Sequence, residues 1–97
     1  MTSVAELIES QVVRTVEAVR LRGTELEKAG AVQLVRFAPL VVTAEVDDAA
    51  AHVELTVVEG SLRWFCTCRE GRAGAFCVHC VATALATRRR APARPHR

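Results

Sequence analysis

The stretch Phe65-Cys66-Thr67-Cys68-Arg69-Glu70-Gly71-Arg72-Ala73-Gly74-Ala75-Phe76-Cys77-Val78-His79-Cys80 holds all four cysteines of the 97-residue chain. Upstream of it Leu62, Trp64 and Cys66 alternate with Arg63 and Phe65, the period of a strand. Downstream, Val78, Val81 and Leu85 return at helical spacing and predict a helix from about Cys77 to Thr87. The pair Cys66-x-Cys68 therefore leaves a strand, and the pair Cys77-x-His79 opens a helix. Between them, Arg69 to Ala75 reads as an unpatterned loop carrying two glycines and two arginines. Zinc takes sulfur and nitrogen donors tetrahedrally, and each closely spaced pair can chelate one edge of that tetrahedron. Cys66, Cys68, Cys77 and His79 would fill it with no open position. Three thiolates on a dication leave a charge of about −1, which the N-terminal end of the helix and Arg69 or Arg72 can offset.

Working outward, period-two alternation predicts strands before the cysteines. Val32 to Phe37 form one; Leu40, Val42, Ala44 and Val46 lie on one face of the next, with Val41, Thr43 and Glu45 on the other. Ala38-Pro39 connects them, at a position where the proline costs no ladder hydrogen bond. Asp47-Asp48-Ala49 is the following turn. Val53, Leu55 and Val57 then alternate with His52, Glu54 and Thr56, and Glu59-Gly60-Ser61 leads into the strand that ends at Cys66. At the N-terminus, Ser3 and Glu6 have the form of a capping box, and Ile8, Val12, Val16 and Val19 recur at helical spacing, so a single helix is expected from about Val4 to Arg22. Gly23 suits the left-handed residue past its end, and Thr24 with Glu27 opens a short turn closed by Gly30. The expected architecture is α+β: an N-terminal helix, a small antiparallel sheet of three to four strands, a zinc-bound loop and a C-terminal helix. The segments would be 1–30, helical; 31–87, sheet plus metal site; and 88–97, a disordered basic tail whose prolines forbid helix continuation.

Composition bounds the possibilities. A chain of 97 residues has room for one small domain. Its 51% hydrophobic content supports a core, but one dominated by Val and Ala with few aromatics. Such thin cores are commonly reinforced by disulfides or a metal. The opening MTSVAELIES has neither a basic leader nor an unbroken apolar run, so it does not read as a secretory signal. No segment approaches the roughly 20 apolar residues of a membrane span. The expected location is cytoplasmic, where grouped cysteines are more often metal ligands or redox thiols than disulfides. The net charge of +2 hides an asymmetry: residues 1–60 carry five basic against ten acidic side chains, and residues 61–97 carry eight arginines against Glu70 alone. An anionic partner should meet the second half.

The order Cys66-x-Cys68, gap, Cys77-x-His79, set between a strand and a helix, resembles the SWIM-type zinc finger. The resemblance spans roughly Val53 to Thr87 and matches all four ligand positions. It lacks the proline common after the second cysteine, where this chain has Arg69. What the resemblance implies is one structural zinc on Cys66, Cys68, Cys77 and His79. It also implies an association with nucleic-acid enzymes, since members occur in transposases, recombination proteins and bacterial partners of Swi/Snf-type helicases.

Cys80 is left over. It reads as a buried thiol on the helix, as a replacement for His79 in an all-cysteine site, or as the second half of a Cys77-Val78-His79-Cys80 redox pair whose first thiol is activated at a helix N-terminus. His52, on a polar strand face, and His96, in the tail, read as solvated side chains. Trp64 and Phe65 flank the site, and one of them should pack over it. No catalytic set is visible: a hydrolytic zinc needs three ligands, a water and a general base, and only Glu70 is near. The chain thus reads as a non-enzymatic, zinc-held platform. Its arginines Arg63, Arg69, Arg72, Arg88, Arg89 and Arg90 would neutralise the phosphates of DNA. The alternative is a protein-interaction module, for a helicase or a second copy, using the acidic N-terminal helix, an edge strand or a second sheet face bearing Val35, Val41 and Val58.

Overall fold

The computed structural model describes residues 2–91. In chain order it contains α1 (Val4–Arg14), α2 (Glu17–Lys28), β1 (Val32–Ala38), β2 (Val41–Val46), a tight turn at Asp48–Ala50, β3 (Ala51–Val58), β4 (Ser61–Cys66), α3 (Arg69–Arg72) and α4 (Val78–Arg90). This is the expected α+β class, with the sheet four-stranded and antiparallel in the order β1-β2-β3-β4.

The capping box opens α1: the Glu6 amide donates to Ser3 Oγ at 3.3 Å, and the Ser3 amide donates to Glu6 Oε1 at 3.0 Å. The single N-terminal helix expected to Arg22 is instead two helices. Thr15 and Val16 are extended between them, at φ −76°, ψ 142° and φ −61°, ψ 150°. Adjacent β-branched residues give up little by leaving the helix, and the carbonyls freed there find partners. The Arg20 guanidinium donates to Val13 O at 3.1 Å and to Thr15 O at 2.9 Å. Gly23 is likewise not past a helix end but inside α2. A Cβ on it would stand 2.5 Å from Val81 Cγ1, so the glycine allows α2 to lie close against α4.

Residue pairing runs Leu34–Ala44–Val53–Cys66 straight across the sheet. That row ends on Cys66, one of the four candidate metal ligands. Val42, Ala44, Val46, Ala51, Val53, Leu55 and Cys66 are buried on one sheet face and share a core with Val4 and Ile8 of α1, Leu26 of α2 and Val81 and Ala84 of α4. Full burial of each large aliphatic side chain stabilises by about 1.5–3 kcal/mol, so the N-terminal helices belong to the same core as the sheet. Leu40, expected on the buried face, is 45% exposed because it lies in the β1–β2 turn rather than in β2. Among the described residues the opposite face has no helix packed on it; it carries Thr43, Glu45, His52, Glu54, Thr56, Arg63 and Phe65, none of them buried.

Helix α4 runs three residues beyond the expected end at Thr87. Arg88 and Arg89 therefore belong to a helix, not to a tail: Arg88 pairs with Glu9 of α1 at 2.8 Å and Arg89 with Glu27 of α2 at 2.7 Å. Cations in the last turn also complement the helix dipole. The remainder of the expected tail, with Arg94, His96 and Arg97, lies outside the described residues. No helix among the described residues is long and apolar enough to cross a membrane.

Candidate metal centre

Two stretches of chain deliver the four donors. Strand β4 brings Cys66 into the core, fully buried. Thr67 then prolongs the ladder, its amide donating to His52 O at 3.1 Å while its hydroxyl accepts the His52 amide at 2.9 Å. This pairing holds the middle residue of the Cys66-x-Cys68 pair rigid. Cys68 caps α3, with its sulfur accepting the Gly71 amide at 3.3 Å. The segment expected as an unpatterned loop thus contains one helical turn folded back over the strand end, so close that a Cβ on Gly71 would lie 2.4 Å from Cys66 Cβ. The loop is pinned further along by Trp64, whose indole N–H donates to Gly74 O at 3.0 Å and whose ring meets Phe76 edge-on at 5.2 Å. Trp64 is therefore the inward aromatic of the pair flanking the site, and Phe65 points to solvent.

On the other side, Cys77 caps α4 in an extended conformation and His79 sits in the first turn, 5% exposed. The donor atoms of Cys66, Cys68, Cys77 and His79 all lie within 4.8 Å of one another. His79 Nδ1 is 3.6 Å from Cys66 Sγ and 3.8 Å from Cys77 Sγ. These four residues could coordinate one metal ion. Cys80 is not one of these four, although its sulfur, fully buried in the core, lies 3.8 Å from Cys77 Sγ.

The thiols differ in electrostatics. Burial pushes Cys66 up to about 12, and burial also raises Cys68. Cys77 moves the other way, lowered by its hydrogen bond with the Cys80 thiol and by the Cys80 and His79 amides at the start of α4. The same hydrogen bond, together with burial, raises Cys80. A cation among the sulfurs reverses the burial penalty on thiolates, since its charge is the largest local field. Among the four cysteines, then, Cys77 is the one whose surroundings already favour the anion.

One member of the site has no signal in the cysteine-histidine spacing. Asp48, from the turn between β2 and β3, accepts His79 Nε2–H through Oδ2 at 2.9 Å, and its Oδ1 lies 3.6 Å from the Arg22 guanidinium of α2. In sequence it reads only as a turn residue 31 positions before the histidine. His52 is elsewhere, between Glu45 and Glu54 on the helix-free face.

The candidate phosphate contacts are scattered. Arg88 and Arg89 are engaged with Glu9 and Glu27, and the Arg90 guanidinium lies 5.3 Å over the Phe37 ring. Arg69 and Arg72 are exposed on α3 beside the site, Arg63 is on the helix-free face of β4, and none of the three is in an ion pair among the described residues.

Fold and site together define a small α+β domain with a buried cluster of three cysteines and one histidine. No protein-family model matches the chain, and neither a curated protein nor a solved structure shows significant similarity to it.

Proposed function

We propose that this chain is a zinc-held interaction module of the SWIM type, with one structural zinc on Cys66, Cys68, Cys77 and His79, and that it binds DNA. The convergence of the four donors carries the zinc reading. A tetrahedral zinc with bonds of about 2.3 Å to sulfur and about 2.0–2.1 Å to nitrogen has sulfur–nitrogen edges of about 3.6 Å. The two sulfur–nitrogen separations at His79 Nδ1, 3.6 and 3.8 Å, are close to that value. Thiolate and imidazole donors favour zinc over the hard cations, and a closed set of four protein ligands serves structure rather than catalysis.

Function then lies on the surface. Arg69 and Arg72 extend from the turn that the metal would hold, with Arg63 on the adjoining strand, and together they offer sequence-independent phosphate contacts. A second reading, a protein partner, draws on the helix-free sheet face, where Val58 and Phe65 are each 44% exposed and Val35, in the bulge of β1, is 63% exposed.

Elemental analysis of protein purified without chelator, with circular dichroism before and after chelation, tests the metal; one zinc per chain is expected. Duplex DNA binding across a salt series tests the partner. Replacing Arg63, Arg69 and Arg72 together by alanine should reduce the salt slope by about one unit per lost phosphate contact. Zinc-loaded protein that does not bind DNA at low salt would move the reading to a protein partner.

A further inference from the structure

We infer that Asp48 is the positioning carboxylate of the metal centre, orienting His79 so that Nδ1 faces the three sulfurs. This rests on the reading of the four residues as a metal site, and it adds a fifth, non-ligating residue from a separate part of the chain. The geometry is directional. His79 is 5% exposed, so its second ring nitrogen needs an acceptor within the protein. Asp48 Oδ2 supplies it at 2.9 Å from Nε2, while Nδ1 is turned to Cys66 and Cys77. An imidazole that donates Nε2–H to a carboxylate keeps its lone pair on Nδ1, the tautomer a metal requires, and becomes the stronger donor.

The carboxylate is itself held from two directions. Arg22 of α2 approaches Oδ1 at 3.6 Å, which also offsets the negative charge that an aspartate adds beside three thiolates. On the other side the backbone turns sharply: Ala49 at φ 59° and Ala50 at φ 49° are both in the left-handed region, where residues with a Cβ are disfavoured. Two such alanines in succession follow directly after Asp48, so the backbone there is sharply turned.

The test is zinc affinity by competition with a chromogenic chelator at constant pH, after one zinc per chain has been established in the wild type. Asp48→Ala should bind zinc 10- to 100-fold more weakly. Asp48→Asn, which keeps an acceptor for Nε2–H, should recover most of that loss. Cobalt(II)-loaded Asp48→Ala should show shifted d–d absorption, reporting altered histidine coordination, whereas Asp48→Asn should absorb like the wild type. A double-mutant cycle separates positioning from a merely structural turn: in a His79→Cys background there is no imidazole to orient, so Asp48→Ala should leave zinc affinity unchanged. An equal loss in both backgrounds, or wild-type affinity and cobalt spectrum in Asp48→Ala, overturns the inference while leaving the metal centre intact. Absence of zinc from the wild type removes both readings, and is seen before any variant is made.

Discussion

Gly71→Ala is the substitution that most directly asks whether the turn after Cys68 holds the metal centre together. The added Cβ would stand 2.4 Å from Cys66 Cβ and 2.8 Å from Cys66 O. Carbon atoms pack at about 3.5–4.0 Å, so α3 must retreat by more than about 1 Å or the end of β4 must move. Overpacking of this kind costs about 1–3 kcal/mol, and retreat also lengthens the 3.3 Å bond from the Gly71 amide to Cys68 Sγ, worth about 1 kcal/mol. The clash arises only when α3 is docked on Cys66, which is the state with the ligands assembled, so most of the cost falls on metal binding. At 1.4 kcal/mol per factor of ten, zinc affinity should fall by about 10- to 1,000-fold. The comparison is Gly60→Ala, at φ +77° with nothing within 4 Å of the new Cβ. It should cost about 1 kcal/mol of stability through backbone strain alone and leave zinc affinity unchanged. Zinc competition and urea unfolding on both variants decide the matter. Wild-type zinc affinity in Gly71→Ala would falsify the account of α3 as a clasp over Cys66.

Chelation should unfold at least β4, α3 and α4, because a structural zinc supplies about 10–16 kcal/mol, comparable to or larger than the whole stability of a small domain; Cys80→Ala should retain one zinc per chain by elemental analysis and lose about 1 kcal/mol from the core. Ala49→Gly and Ala50→Gly should each stabilise the zinc-loaded protein by up to about 1 kcal/mol in urea melts, since only glycine adopts their backbone conformation freely; destabilisation in both would show that the turn is not strained. His52 is raised above its ordinary value by hydrogen bonds to Glu45 and Glu54. The protonated histidine is therefore favoured in the folded state, so its contribution is complete below about pH 6.5 and is lost as pH rises through the raised value. The stability difference between wild type and His52→Gln should shrink between pH 6 and about 8, by less than about 1 kcal/mol because the group is partly solvated. A difference that grows over that range would reverse the assignment.

Which parts of this structure were legible in the sequence follows from the range of the interactions involved. Strand alternation from Val32 to Cys66 and helical spacing from Val78 onward are local periodicities, and they mark the four strands and α4. Cys66-x-Cys68 and Cys77-x-His79 are also local, so the four residues whose donor atoms converge could be singled out from spacing before any contact was known. The tertiary structure decided what depends on distant partners. Thr15 and Val16 could continue a helix as far as periodicity goes; the break there is held by Arg20 reaching the freed carbonyls. Gly23 reads equally as a helix stop or as a close contact, and only Val81 of α4 distinguishes the two. Arg88 and Arg89 look like a solvated basic tail until α1 and α2 bring Glu9 and Glu27 beside them. Asp48 is the clearest case, because a turn aspartate meets the buried His79 only when β2 and β3 carry it to the first turn of α4. Spacing along the chain encodes what neighbouring residues do together, whereas the acceptor for a buried imidazole is chosen by packing.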